Sequence, residues 1–133
     1  MPTVNMLDTH IALWAIADSP RLSARARDLI DDPANQIVVS AVTVWEIATR
    51  HALARGAPND MPISGETALG HFRDAGFELL DITPAHAAAV EALPSRHSDP
   101  FDRLLLAQAL ATPLRLLTHD PAVAAYSDLV IAA

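Results

Sequence analysis

The sequence predicts an α/β/α sandwich, with helices covering both faces of a central, largely parallel β-sheet. Two observations carry that expectation. Short apolar runs rich in β-branched residues alternate with longer segments of helical periodicity, as in βαβ units. Helix starts recur as a capping residue followed by proline, at Thr83-Pro84, Asp99-Pro100 and Asp120-Pro121. A chain of 133 residues with 51% hydrophobic content is expected to form a single domain, residues 1–133, with enough apolar surface for a real core.

Each element has its own warrant. Residues 4–7 are a short apolar run ending at Asp8, which suits a buried strand. Residues 9–17 carry Ile11, Leu13, Trp14 and Ile16, a helix with a broad buried face, broken by Ser19-Pro20. Ser23 can cap a second helix through Ile30, stopped near Asp32-Pro33. Residues 36–39 are a β-branched strand. Residues 41–54 form a third helix with Val42, Trp45, Ile47 and Ala48 inward, ended by Gly56. Residues 57–63 hold two prolines and no periodicity, so they read as a loop. A helix follows from Ser64 to Ala75 with Gly76 as its stop. Residues 77–82 are a strand, 84–93 a helix, 94–98 a loop and 100–111 a long apolar helix. Residues 115–118 and 129–131 complete the strands, separated by the helix start at Asp120-Pro121.

Acidic residues recur where the sheet meets these helices. Asp8 directly follows the first strand, Glu46 lies near the start of the helix after the second, Asp102 opens the helix leading into the fourth, and Asp120 stands two residues past it. Asp99 is a fifth candidate. In a parallel sheet, ligands gather at the carboxyl ends of the strands, so these acids can meet at one edge. Carboxylates beside a core cost free energy unless their charge is offset, and a shared cation offsets it. Hard divalent ions such as Mg²⁺ or Mn²⁺ take oxygen ligands and keep several waters. Such a site can activate water and stabilise charge on a phosphate, which points to a metal-dependent phosphodiesterase and, among these, a small ribonuclease.

A plainer reading treats the same acids as helix caps, and Asp99 and Asp120 satisfy it well. Capping and ligation are compatible, so one does not exclude the other. Thr9, Ser40 and Thr118 can hydrogen-bond ligating carboxylates or metal-held waters, or can simply cap helices. His10, His97 and His119 flank the acids and can contact phosphate, orient water or accept a proton. Trp14 and Trp45 read as core or interface anchors.

Composition narrows the field further. The absence of cysteine excludes disulfides, thiolate metal sites and a cysteine nucleophile. There is no GxGxxG, Walker loop, GxSxG or HExxH motif. Met1-Pro2-Thr3 carries no basic leader and no stretch is long enough for a membrane span, so the expectation is a cytoplasmic protein. The net charge of −7 is unusual for a nucleic-acid binder. Setting aside the five candidate carboxylates leaves eleven acids against nine arginines, about −2, so the acidity belongs largely to the proposed site.

Four segments in this order and spacing, LDTHIALWAIADSPRLSARARDLI, VVSAVTVWEIATR, HSDPFDRLLLAQA and LLTHDPAV, closely resemble the PIN-domain toxins of prokaryotic type II toxin–antitoxin modules. The likeness is to the VapC branch that carries an HxDPFDR segment and covers nearly the whole chain; residues 50–66 depart from its lysine-containing pattern. The resemblance implies a PIN-like fold and a Mg²⁺-dependent endoribonuclease, with Mn²⁺ as a substitute, acting on RNA, blocked by a cognate VapB-like antitoxin and assembled as a homodimer. It assigns Asp8, Glu46 and Asp102 to the three core acids and Asp120 to the more variable fourth, with Asp99 as this branch's extra acid. Asp8 and Asp102 would then hold the principal metal, and Glu46 and Asp120 would complete ligation or position the attacking water. Arg50, Arg96, His97 and Arg103 are the expected phosphate contacts. The alternatives are a catalytically silent binding protein of the same fold, or a PIN nuclease working outside a toxin module.

Overall fold

Alternation within the central strands decides the architecture. In the computed structural model, which describes residues 4–94 and 99–133, the elements run β1 (Val4–Leu7), α1 (Thr9–Ile16), α2 (Ala24–Asp31), β2 (Gln36–Ser40), α3 (Ala41–Ala52), α4 (Gly65–Asp74) and β3 (Glu78–Leu80), then α5 (Pro84–Ala89), a 3-10 turn (Val90–Ala92), α6 (Pro100–Ala111), β4 (Arg115–Thr118), α7 (Pro121–Ala124) and β5 (Val130–Ala132). The five strands form one sheet in the order β3-β2-β1-β4-β5, and every pairing is parallel.

Successive side chains on a strand point to opposite faces. Met6, Val38 and Leu116 therefore enter one core, packed under α5, α6 and α7, while Leu7, Val39 and Leu117 enter the other, under α1, α2, α3 and α4. Both faces of the sheet are covered, as a parallel sheet requires. This is the α/β/α sandwich the sequence predicts. No helix among the described residues is long and apolar enough to cross a membrane.

The expected punctuation operates. Ser23, Ser64, Thr83, Asp99 and Asp120 each accept a first-turn amide at the start of a helix, and His86 completes a reciprocal cap with Thr83. Gly76 closes α4 with φ near +80°, a conformation that favours glycine.

Three expectations need correction. The helix expected over 84–93 is α-helical only to Ala89 and tightens into the 3-10 turn. The third strand is only Glu78–Leu80, so Phe77 precedes it. Trp45 and Ala48 do not face inward: α3 buries Val42, Thr43, Glu46 and Ile47, and Trp45 is 51% exposed, edge-on to Phe101 of α6 at 4.7 Å between ring centres. The buried stripe carries two polar side chains: Glu46 lines the cleft described next, and Thr43 lies behind it against the Thr9 hydroxyl.

Candidate active site

Asp8 is the last residue before α1, at the carboxyl end of the central strand. Its amide continues the sheet by donating to the Leu117 carbonyl of β4, which fixes the backbone of the two neighbouring strand ends together. The side chain is buried and fully engaged. Oδ1 accepts the Ile11 amide at 2.9 Å, capping α1, and Oδ2 accepts the Thr118 hydroxyl at 2.7 Å. The His119 amide and Nδ1 lie 3.3 and 3.4 Å from the same oxygen. Burial by itself pushes this carboxyl up, but the bonds from His119, the Ile11 amide and Thr118 together hold it below its ordinary value. The same pairing raises His119 against the effect of its own partial burial, with the charges of Asp8, Asp120 and Asp102 adding to it. Asp8 is thus kept ionised inside the fold.

Glu46 comes from the buried face of α3. Its Oε1 accepts the Thr9 hydroxyl at 2.7 Å, and Thr9 also lies 3.3 Å from the Thr43 hydroxyl. Its Oε2 accepts from Nε of Arg50, one helical turn on, at 2.8 Å. The guanidinium reaches on toward Asp99, with 3.7 Å to its Oδ2. Asp99 caps α6 through its other oxygen, which takes the Phe101 and Asp102 amides. Thr118 accepts the Asp120 amide, and Asp120 in turn caps α7.

These side chains line a single cleft of about 240 Å³: Asp8, His10, Glu46, Arg50, Asp99, Asp102, His119 and Asp120. All five candidate acids reach it: Asp8, Asp99, Asp102 and Asp120 from the starts of α1, α6 and α7, and Glu46 from the middle of α3. The matching family model is the PIN domain, which covers residues 6–129. The chain belongs to the PIN-domain family. Within it, the chain is 36% identical over 120 residues to Ribonuclease VapC22 of Mycobacterium tuberculosis, covering 89% of this chain and 88% of that protein. It is thus of the VapC type. The fold also resembles the VapBC2 complex of Rickettsia felis bound to promoter DNA, with a TM-score of 0.67 at 17% identity over 96% of each chain. A toxin–antitoxin complex from Klebsiella pneumoniae gives a TM-score of 0.63 at 19% identity, over 96% of this chain and 95% of that one.

PIN-domain nucleases of the VapC type generally depend on a divalent metal. The donors of this PIN domain fit one in kind: five carboxylates and no thiolate, the set preferred by a hard cation that retains water. No group of three acids or histidines among the described residues is already drawn together as a finished ligand set. The oxygens of Asp8, Glu46 and Asp99 are instead engaged by Thr118, His119, Thr9 and Arg50.

Thr9 and Thr118 orient carboxylates, as the sequence suggests. Ser40 does not. It is buried at the start of α3, where it accepts the Val42 amide and donates to Gln108 Oε1, tying α3 to α6. Gln108 passes the tie to the Asp81 carbonyl at 3.2 Å. Arg103 is not among the residues lining the cleft; its guanidinium donates to the carbonyls of Val90, Leu93 and Pro94, holding the end of the 3-10 turn. Arg96 and His97 lie outside the described residues. His10 and His119 are in the cleft, their rings 4.5 Å apart and both against Trp14. The sequence flagged both histidines by their position beside Asp8 and Asp120 but gave neither a partner.

Proposed function

We propose that this PIN domain is the ribonuclease toxin of a type II toxin–antitoxin module. It cleaves RNA phosphodiester bonds at the carboxylate cleft with Mg²⁺, for which Mn²⁺ can substitute. The observation that carries the reading is the convergence of five carboxylates in one cleft at the sheet edge, with Asp8 buried and held ionised. The likeness to Ribonuclease VapC22 supports RNA as the substrate.

In this reading Asp8 and Asp102 hold the principal metal, and Glu46, Asp99 and Asp120 complete ligation or position the attacking water. When bound, the divalent ion supplies activation of water and neutralisation of charge building on the phosphate. The chain's own groups do the orienting. Thr118 fixes one oxygen of Asp8, and Thr9 fixes one oxygen of Glu46. Arg50, half-exposed at the cleft, offers a planar donor pair to a substrate phosphate. His119 stands where it can donate to a phosphate oxygen or to the departing group.

A VapB-like antitoxin fits an apolar groove of about 390 Å³ lined by Leu13, Trp14, Met61 and Ile63, which joins the cleft through His10. A segment seated there can extend a basic side chain toward the acids. The exposed Trp45 and Leu79, together with Ala48 and Leu69, form a separate face suited to the homodimer.

Purified protein incubated with total RNA tests the core of the proposal. Cleavage that needs Mg²⁺ or Mn²⁺, stops with EDTA and is lost in Asp8→Asn supports it. A folded, metal-binding protein, freed of any inhibitor, that leaves all RNA intact refutes it in favour of a silent binding protein.

A further inference from the structure

The cleft already contains a cation of its own. Arg50 bonds Glu46 Oε2 through Nε and faces Asp99 Oδ2 with a terminal nitrogen. The choice of oxygens matters. Glu46 has given Oε1 to the Thr9 hydroxyl, and Asp99 has given Oδ1 to two amides of α6. Oε2 and Oδ2 take no such uncharged donor, and they are the two that Arg50 faces.

Nothing else among the described residues holds the guanidinium, and the side chain is 49% exposed on a flexible stem. It can swing outward without disturbing the core. Glu46, by contrast, has a side chain only 4% exposed and cannot follow it. Left without Arg50 or a metal, Glu46 would be a buried carboxylate with no cation beside it, a costly state. The cleft thus favours having one cation at a time on these two acids.

We propose that Arg50 and the divalent metal compete for Glu46 and Asp99, so that metal entry displaces Arg50 and turns it toward the substrate phosphate. The inference rests on the metal-cleft reading above and adds a coupling to it. Because coupling between two ligands of one site is reciprocal, Arg50 lowers metal affinity by the factor by which metal weakens the Arg50 contacts.

The experiment is Mn²⁺ binding by calorimetry to metal-stripped wild type, Arg50→Gln and Arg50→Lys. Arg50→Gln is expected to bind Mn²⁺ about tenfold more tightly, toward the low end of site-to-site couplings because the arginine is half-exposed. Arg50→Lys, which keeps the charge, is expected to stay near wild type. In parallel, the Arg50 Nε–H signal of wild type, followed by NMR, should move from a protected to a solvent-exchanging state along the Mg²⁺ titration. This second readout needs no variant. Equal or weaker Mn²⁺ binding by Arg50→Gln, or an Arg50 signal that stays protected at metal saturation, overturns the competition while leaving the metal cleft standing. If wild type and variant both bind no Mn²⁺, the metal-cleft reading falls and this inference falls with it.

Discussion

Thr118→Val isolates one bond that holds the central carboxylate. Valine keeps the shape of threonine but cannot donate to Asp8 Oδ2, now 2.7 Å away, nor accept the Asp120 amide at 3.1 Å. Thr118 and Asp8 are both buried, so water cannot easily replace the donor. A hydrogen bond to a charged group contributes about 1.5–3 kcal/mol, and the partly buried Asp120 amide adds up to ~1 kcal/mol if left unpaired. The additional buried methyl returns about 0.8 kcal/mol. The net expectation is a loss of about 2 kcal/mol. For a domain of 133 residues, that corresponds to a melting point lower by roughly 6–8 °C.

The assay is urea and thermal unfolding followed by circular dichroism, in EDTA, from pH 7 downward. Because the fold holds Asp8 below its ordinary value of 3.8, its contribution is full above that value and is lost as pH falls through the lower folded-state value. The Thr118→Val deficit should therefore narrow in that acid window. Thr118→Ser, which retains the hydroxyl, should lose about 1 kcal/mol for its missing methyl at every pH. A Thr118→Val loss under ~0.5 kcal/mol, or one that does not change with pH, would refute the reasoning.

Other outcomes follow from the same geometry. His119 should titrate above 6.5 by NMR in metal-free protein and return toward its ordinary value in Asp8→Asn; its contribution to stability is present below 6.5 and lost as pH rises through the raised folded-state value. Gly65→Ala would place a Cβ 2.7 Å from Ala48 Cβ and 3.2 Å from the Val44 carbonyl, forcing α3 and α4 apart, so denaturant unfolding should show a loss of about 2 kcal/mol. Gly70→Ala, in the same helix with open space around it, should instead gain about 0.5–1 kcal/mol, and two changes of the same sign would count against this packing. Asp60 accepts the Arg55 and Ala57 amides, which hold its carboxyl below the usual range; NMR titration should find it there, and its help to the 55–60 turn should fade as pH falls through that lowered value.

The layered architecture and the acids of the cleft were legible because each is written locally. Strand ends, caps and prolines mark where a parallel sheet turns into helices, and Asp8, Asp99 and Asp120 stand at those marks. Trp45 misled for a physical reason. Apolar periodicity locates the buried face of a helix only when that face is apolar, and α3 spends two of its inward positions on Thr43 and Glu46. Ser40 and Arg103 stand close in sequence to true cleft residues, yet their partners, Gln108 and the carbonyls after α5, are fixed only by the packed fold. The link from Arg50 to Glu46 follows helical spacing, while its reach to Asp99 crosses between helices and has no signature in the chain.

The adjacency of β1 and β4 has a consequence in time. Asp8 receives its hydroxyl donor from a residue 110 positions later, and β4 cannot join the sheet before it has been made. A chain still on the ribosome therefore carries its acids for most of its synthesis without the frame that sets them. The Asp8 carboxylate is set in its folded position only when nearly the whole polypeptide has emerged, and any fragment ending before Thr118 lacks the hydroxyl that sets it.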